Sequence, residues 1–172
     1  DPILPPIVKI EDPVLASTMG ATLATKRTSA EKLLPGVDPE ALIFEPYANP
    51  FRTYPLSEDY DKFKKLFDKG VDCYIINTGF FLNKKVTKET TLEIVEKIVE
   101  GKAEFVEWFG GLKLMNIPGF EVKTSEYEYR DLLKTSIEKR IEFIKSKDIE
   151  NQGYDKLPAE CVERLQSLIA LL

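Results

Sequence analysis

Two short cationic segments carry the side chains best suited to chemistry in this sequence. Arg27 follows Lys26 in a polar loop after a predicted helix, and an arginine can hold a carboxylate or phosphate through two parallel hydrogen bonds. Lys84 and Lys85 lie between a predicted strand and the next helix, where positive charge beside free helix N–H groups suits an anion. Both segments predict anion binding, although an exposed surface loop is the commoner place for such residues.

A short apolar strand ends abruptly between these two segments. The run from Cys73 to Phe80 (CYIINTGF) changes from apolar to polar at Asn77, Thr78 and Gly79. In α/β proteins, ligands tend to lie at the carboxyl ends of strands. The sequence therefore predicts a ligand-facing wall at this strand end.

Several kinds of catalytic centre are excluded. The chain contains no histidine, so it lacks the commonest general base and metal ligand, and Ser-His-Asp and Cys-His arrangements are impossible. A phosphate loop of the GxxxxGKS/T type is also missing. No pair of acids follows a hydrophobic strand as a metal site requires, so the sequence predicts no metal ligands of its own.

Composition indicates a single globular domain. The 172 residues carry a net charge of −5, which argues against a nucleic-acid partner because phosphate binding favours a basic face. The two cysteines, Cys73 and Cys161, are too few for a disulfide framework, so we expect a reducing, cytoplasmic location. No apolar run approaches the roughly 20 residues that span a bilayer, so no membrane partner is expected.

Periodicity and capping residues predict a mixed α/β fold. Helices are expected over residues 13–23, 57–70, 87–100 and 125–147 and from Pro158 onward, with strands over 41–44, 72–77, 104–108 and 112–115. Ser57 and Thr87 are the predicted caps of the second and third helices. Helical spacing predicts two core-facing stripes: Leu92, Val95, Ile98 and Val99 in the third helix, and Leu133, Ile137, Ile141 and Ile144 in the fourth.

A series of short segments resembles the C-terminal third of ATP-dependent phosphoenolpyruvate carboxykinases. In chain order they are Leu4–Ile7 (LPPI), Met19–Arg27 (MGATLATKR), Tyr74–Phe80 (YIINTGF), Lys85–Thr90 (KVTKET), Ile98–Gly101 (IVEG) and Leu114–Gly119 (LMNIPG). Each segment alone is unspecific. Their shared order and spacing over about residues 1–125 carry the resemblance.

The resemblance implies a fold and a place in a larger protein. The fold would be the C-terminal part of the carboxykinase fold, with a mixed sheet and flanking helices. Residues 1–172 would form one domain, the nucleotide-side lobe of a longer chain. The start at Asp1 rather than at a methionine agrees with a fragment. Removal of the upstream lobe is then expected to expose an apolar patch.

The resemblance also implies roles for particular residues. Carboxykinases decarboxylate oxaloacetate and phosphorylate the resulting enolate from ATP, with Mg²⁺ and Mn²⁺. Arg27 matches the arginine that contacts the substrate and the γ-phosphate. Lys85, Val86 and Thr90 match the segment that lines the adenosine pocket, and the strand end at Asn77 would help to frame the adenine and ribose.

Cofactors and partners follow from the same resemblance. ATP with Mg or Mn would bind the full-length protein, whereas this fragment alone is expected to bind neither tightly and to have no turnover. The phosphate loop and metal ligands would lie upstream of Asp1, so the missing N-terminal part of the chain is the first expected partner. A nucleotide and a small carboxylate substrate are the others.

The chain departs from the family in ways that leave alternatives open. Lys85 replaces an arginine, Thr28 replaces a glycine, and Phe80–Asn83 replaces a tryptophan and a glycine-rich turn; residues 29–55 show little likeness. The full-length protein could be a divergent carboxykinase-like enzyme. It could instead be a non-catalytic module for nucleotide sensing or protein interaction. An unrelated α/β domain is the third interpretation.

Overall fold

A computed structural model describes residues 1–26, 35–38 and 41–172. It confirms the predicted class, a mixed α/β fold with a sheet and flanking helices. In chain order the elements are β1 (Ile7–Ile10), α1 (Pro13–Ala21), β2 (Ala24–Lys26), β3 (Leu42–Phe44), α2 (Leu56–Asp68), β4 (Cys73–Ile76), β5 (Phe80–Phe81), β6 (Lys84–Lys85), α3 (Lys88–Val99), β7 (Phe105–Phe109), β8 (Leu112–Met115), α4 (Tyr127–Lys147) and α5 (Ala159–Ile169).

The main sheet has four strands in the order β4-β1-β8-β7. Every strand pairing in the described residues is antiparallel, where the resemblance implied a mixed sheet. The turn at Gly110 and Gly111 joins β7 directly to β8, and so short a connection permits only antiparallel pairing. Strand β1 lies between β4 and β8, and three of its four residues are buried.

Helix α1 fills the space between the sheet and two other helices. The Asp12 carboxylate accepts a hydrogen bond from the Leu15 amide at 2.6 Å, and Pro13 opens the helix. Leu15, Ala16 and Met19 are buried in the main core. Because α2 and α5 both pack against α1, this helix is enclosed on most of its surface.

Helix α2 begins differently from the sequence prediction. It starts at Leu56, and Ser57 is not its cap. The Asp155 carboxylate instead accepts the Leu56 amide at 2.9 Å across 99 positions of sequence. A long-range carboxylate therefore satisfies the helix terminus that a local hydroxyl was expected to satisfy.

The two predicted apolar stripes have opposite outcomes. In α4, Leu133, Ile137, Ile141 and Ile144 are all buried, as predicted. In α3 the prediction is wrong: Leu92, Val95 and Val99 are exposed, Ile98 is half-buried, and Ile94 is the buried side chain. The reason is that α3 lies at the periphery and presents its Ile94 side to the fold.

The hairpin formed by β5 and β6 is a feature that the sequence did not suggest. Phe80 pairs with Lys85, and Phe81 pairs with Lys84. Directly opposed residues in an antiparallel pair share one face. Phe80 and Lys85 therefore lie on one face of the hairpin, while Phe81 on the other is buried in a second apolar cluster with Val86, Phe120, Tyr129 and Leu133.

Candidate functional site

A cleft of about 310 Å³ lies between β2 and the end of β4. Strand β2 forms one wall through Ala24, Thr25 and Lys26. The other wall and the base are formed by Asp1, Pro2, Leu23, Ile76, Asn77, Thr78, Gly79 and Phe80. We call this the β2–β4 cleft. It brings the predicted strand end opposite Lys26.

Asn77 shapes this cleft from behind. Its side-chain Nδ2 donates to the carbonyls of Leu4 at 2.7 Å, Phe80 at 2.8 Å and Asp1 at 3.2 Å, and its Oδ1 accepts the Gly79 amide at 3.0 Å. An amide group with these partners has little hydrogen-bonding capacity left for a ligand. Asn77 therefore holds the strand end to the N-terminal segment through its side chain.

Thr78 and Gly79 form the exposed part of the strand end. The Gly79 carbonyl accepts the Val86 amide at 2.8 Å, which fixes the hairpin to the cleft wall. A Cβ built on Gly79 would come no closer to its surroundings than 3.6 Å, to Asn77 Oδ1. Packing therefore does not demand a glycine here, and the position has room beside it.

Lys85 lies on the same side of the hairpin as the cleft. It is paired with Phe80, which lines the cleft, and it is exposed. Lys85 therefore neighbours the cleft through Phe80 without being one of the residues that line it. Lys84, the residue before it, points to the opposite face and donates to the Gly119 carbonyl at 2.6 Å.

Val86 and Thr90 contribute to packing and to a helix cap, respectively. The Val86 side chain is buried in the second apolar cluster. The Thr90 amide donates to Thr87 Oγ1 at 3.2 Å, which caps α3 as the sequence predicted. Neither residue lines the β2–β4 cleft, although the Val86 amide is bonded to the Gly79 carbonyl at its wall.

Arg27, the predicted phosphate-contacting residue, lies outside the described residues. The residue before it, Lys26, is the last residue of β2 and lines the cleft. Among the described residues that line the cleft, Lys26 is the one lysine or arginine. Asp1 is the one acid among the lining residues, and its carboxylate is 5% exposed because it pairs with Arg140 at 2.6 Å.

Arg140 is the residue near this site that sequence reasoning missed. It lies in α4, three residues after Ile137 and four before Ile144, on the helix face that is otherwise apolar. The sequence feature that could have identified it is a charged residue within the apolar stripe of α4. Its partners Asp1 and Thr22 lie 139 and 118 positions away, so the sequence could not identify them.

A larger cavity of about 430 Å³ lies on the opposite face of the β5–β6 hairpin. Its charged groups are occupied locally: the Gly119 amide donates to Glu121 Oε1 at 2.8 Å, and Lys123 pairs with Glu126 at 3.0 Å. Two lysines and two glutamates line this cavity, so their charges balance and it offers no net positive charge to an anion.

The described residues offer no ready metal centre or reactive thiol. Across residues 1–26, 35–38 and 41–172, no three His, Cys, Asp or Glu side chains come together as metal ligands. Burial raises the pKa of the Cys73 thiol to about 11 and also raises the pKa of Cys161, so both stay protonated at neutral pH.

Comparison with known proteins gives no independent assignment. No protein-family model and no curated protein matches this chain. The carboxykinase resemblance therefore stays a prediction that depends on the collinear segments. In the part of the chain that the structure describes, no helix has the length and apolarity needed to cross a bilayer.

Proposed function

We propose that this chain supplies one side of a nucleotide-binding cleft in a carboxykinase-like phosphotransferase. Lys26 and Arg27 would stabilise phosphate charge, and the strand end at Thr78 and Gly79 with Lys85 would border the nucleoside. The observation that carries the proposal is the position of Lys26, across the cleft from the strand end that the resemblance assigns to the nucleotide.

The composition of the cleft suits a ligand with an anionic end and an apolar end. Leu23, Ile76 and Phe80 provide apolar surface, and Lys26 provides a cation. A transferred phosphoryl group needs positive charge and positioning more than covalent chemistry. In the parent protein this cleft would therefore orient ATP, while the metal and the phosphate loop come from the upstream part.

The size of the cleft limits what this chain does alone. Ligand pockets typically measure roughly 300–1,000 Å³, and this one is at the lower limit, at about 310 Å³. It offers part of a nucleotide site. We therefore expect weak binding by the isolated chain and no turnover.

Titration of the ¹⁵N-labelled chain with Mg·ATP, followed by amide chemical shifts, tests this proposal. We expect saturable shifts in residues 24–26 and 78–80. Arg27→Gln should weaken binding about ten-fold, since a hydrogen bond to a charged group contributes about 1.5 kcal/mol or more. Lys123→Gln, which removes a cation from the other cavity, is the matched control and should leave the affinity unchanged.

Two results would contradict the proposal. Shifts that saturate around the larger cavity and not in the β2–β4 cleft would place the ligand elsewhere. An Arg27→Gln variant that binds as tightly as the parent would remove the assigned phosphate contact.

A non-catalytic module for nucleotide sensing or protein interaction is the second candidate. It is favoured by Phe80 and Leu82, which expose 44% and 39% of their surface beside the cleft, where the family has a glycine-rich turn. Arg27→Ala in the full-length protein separates the two. An enzyme should lose turnover by several orders of magnitude, as enzymes do without a phosphate-clamping arginine. A sensing or interaction module has no such turnover to lose, and its partner binding should be unaffected.

A further inference from the structure

Arg140 is a buried cation that donates hydrogen bonds to two residues, Thr22 and Asp1. Its side chain is 3% exposed, and its guanidinium lies behind the β2–β4 cleft rather than among the residues that line it. One terminal nitrogen donates to the Thr22 carbonyl and, at 3.3 Å, to Thr22 Oγ1. The other donates to Asp1 Oδ2 at 2.6 Å.

The first acceptor belongs to one side of the cleft. Thr22 is the C-terminal cap of α1 and lies two residues before β2 begins at Ala24. Because Arg140 holds the Thr22 carbonyl, α4 fixes the point from which β2 leaves α1. The position of Lys26, at the far end of β2, depends on that point.

The second acceptor, Asp1, connects β2 with the other side of the cleft. The Asp1 backbone nitrogen donates to the Ala24 carbonyl at 3.1 Å, and the Asp1 carbonyl accepts from Asn77 Nδ2 at 3.2 Å. Ser136 Oγ, one turn before Arg140 in α4, donates to the same Asp1 carboxylate oxygen at 2.8 Å. Through Asp1, the guanidinium is therefore connected to the turn that carries Thr78 and Gly79.

Only an arginine combines these contacts. The planar guanidinium directs two nitrogens at two acceptors in a fixed geometry, whereas a lysine has one compact ammonium. A buried charge also becomes costly when a partner is removed. Burial lowers the pKa of Arg140 to about 10, which is still far above neutrality, so the group stays charged.

We propose that Arg140 is a positioning residue for the β2–β4 cleft: it sets the separation between β2 and the strand end without contacting the ligand. The ligand part of this inference rests on the proposed nucleotide function. The geometric part does not, and the test below measures the two parts separately.

Hydrogen exchange of the whole chain tests the geometry. Arg140→Met keeps the volume and removes both contacts, and we expect exchange to accelerate about ten-fold or more in residues 22–26 and 76–80, as expected when a buried ionic contact is lost. Arg52→Met is the matched control. Arg52 pairs with Asp155 at 3.1 Å and donates to the Tyr54 carbonyl, away from the cleft-lining residues. The Arg52→Met variant should accelerate hydrogen exchange near residues 52–56 and leave exchange in residues 22–26 and 76–80 unchanged.

Mg·ATP titration of the same variants tests the ligand part. Arg140→Met should weaken binding about ten-fold, and Arg52→Met should not. Arg140→Lys keeps the charge but cannot reach both acceptors, so it should not restore affinity. A lysine variant with parental affinity, or equal effects of Arg140→Met and Arg52→Met on the cleft, would overturn the proposal.

A milder variant covers the case in which Arg140→Met does not fold. Ser136→Ala removes one hydrogen bond from the Asp1 carboxylate and should accelerate exchange in residues 76–80 by at least about three-fold, since a hydrogen bond to a charged group contributes more than a neutral one. Unchanged exchange there would overturn the positioning role. If the parent chain binds no nucleotide but the exchange pattern is as expected, the proposed function fails and the positioning role stands.

Discussion

Helices α1 and α3 both follow a capping side chain and both contain many apolar residues, but the fold uses them differently. Helix α1 is enclosed by the sheet, α2 and α5, and Leu15 in its first turn has no exposed surface. Helix α3 buries Ile94, while Leu92 and Val99 expose 57% and 80% of their surface.

The difference shows that apolar spacing alone does not decide burial. Both helices satisfy their first turn locally, through Asp12 in one and Thr87 in the other. Only α1 has neighbours on several sides, so only its stability is coupled to the whole fold.

The largest expected contrast is between two leucine truncations. Leu15→Ala should lower the free energy of unfolding by about 3 kcal/mol, because it leaves a cavity in the main core. Leu92→Ala, which deletes the same atoms from an exposed position, should change it by less than about 0.5 kcal/mol. Urea unfolding measured by circular dichroism gives both values.

A cost above about 1 kcal/mol for Leu92→Ala would contradict the comparison. That result would mean that the exposed stripe of α3 is covered in solution, either by another part of the chain or by a second molecule. Sedimentation at several concentrations would distinguish a second molecule from the chain itself.

Features built from neighbouring residues could be predicted from the sequence. The α4 stripe follows helical spacing and Thr87 caps α3, both as predicted. Features that depend on distant residues could not. The central place of β1 follows from its neighbours β4 and β8, and the α2 cap comes from Asp155.

The candidate site also contains both kinds of feature, some predictable from neighbouring residues and some dependent on distant ones. The strand end at Asn77 was visible as a change from apolar to polar residues, and the structure places it in a cleft with Lys26. The hydrogen bonds by which Asn77 holds the strand end could not be foreseen, since two of its acceptors, Asp1 and Leu4, are 76 and 73 positions away. Val86 was assigned to the ligand by alignment of segments, but its side chain is in the second apolar cluster.

Removal of the two helix caps should give a smaller contrast. Asp12→Ala should lower the free energy of global unfolding by about 1–2 kcal/mol, since it removes the acceptor of the Leu15 amide from a helix coupled to the core. Asp12 also pairs with Arg164 at 3.3 Å, which adds to this cost. Thr87→Ala should change global stability by less than about 0.5 kcal/mol and act by local fraying.

Hydrogen exchange measures this difference where urea unfolding cannot. We expect Thr87→Ala to accelerate exchange in the first turn of α3, including the Thr90 amide that loses its acceptor. Asp12→Ser, which keeps a capping oxygen, is the control for α1 and should recover most of the loss. Equal effects of the two alanine variants on global unfolding would show that α3 is as strongly coupled to the core as α1.

The smallest expected effect concerns the ion pair on the exposed surface of α3. Glu93 Oε1 and Lys97 Nζ are 2.7 Å apart, with the glutamate N-terminal to the lysine, which is the favourable orientation in a helix. Because packing contributes little to α3, this pair should be a measurable share of its local stability.

Lys97→Met should lower the free energy of local opening by about 0.3–0.5 kcal/mol at low salt. In 1 M NaCl, where the screening length is about 3 Å, the difference should disappear. Hydrogen exchange of α3 at both salt concentrations gives the comparison, and an effect that persists at high salt would show that the Lys97 stem contributes by packing rather than by charge.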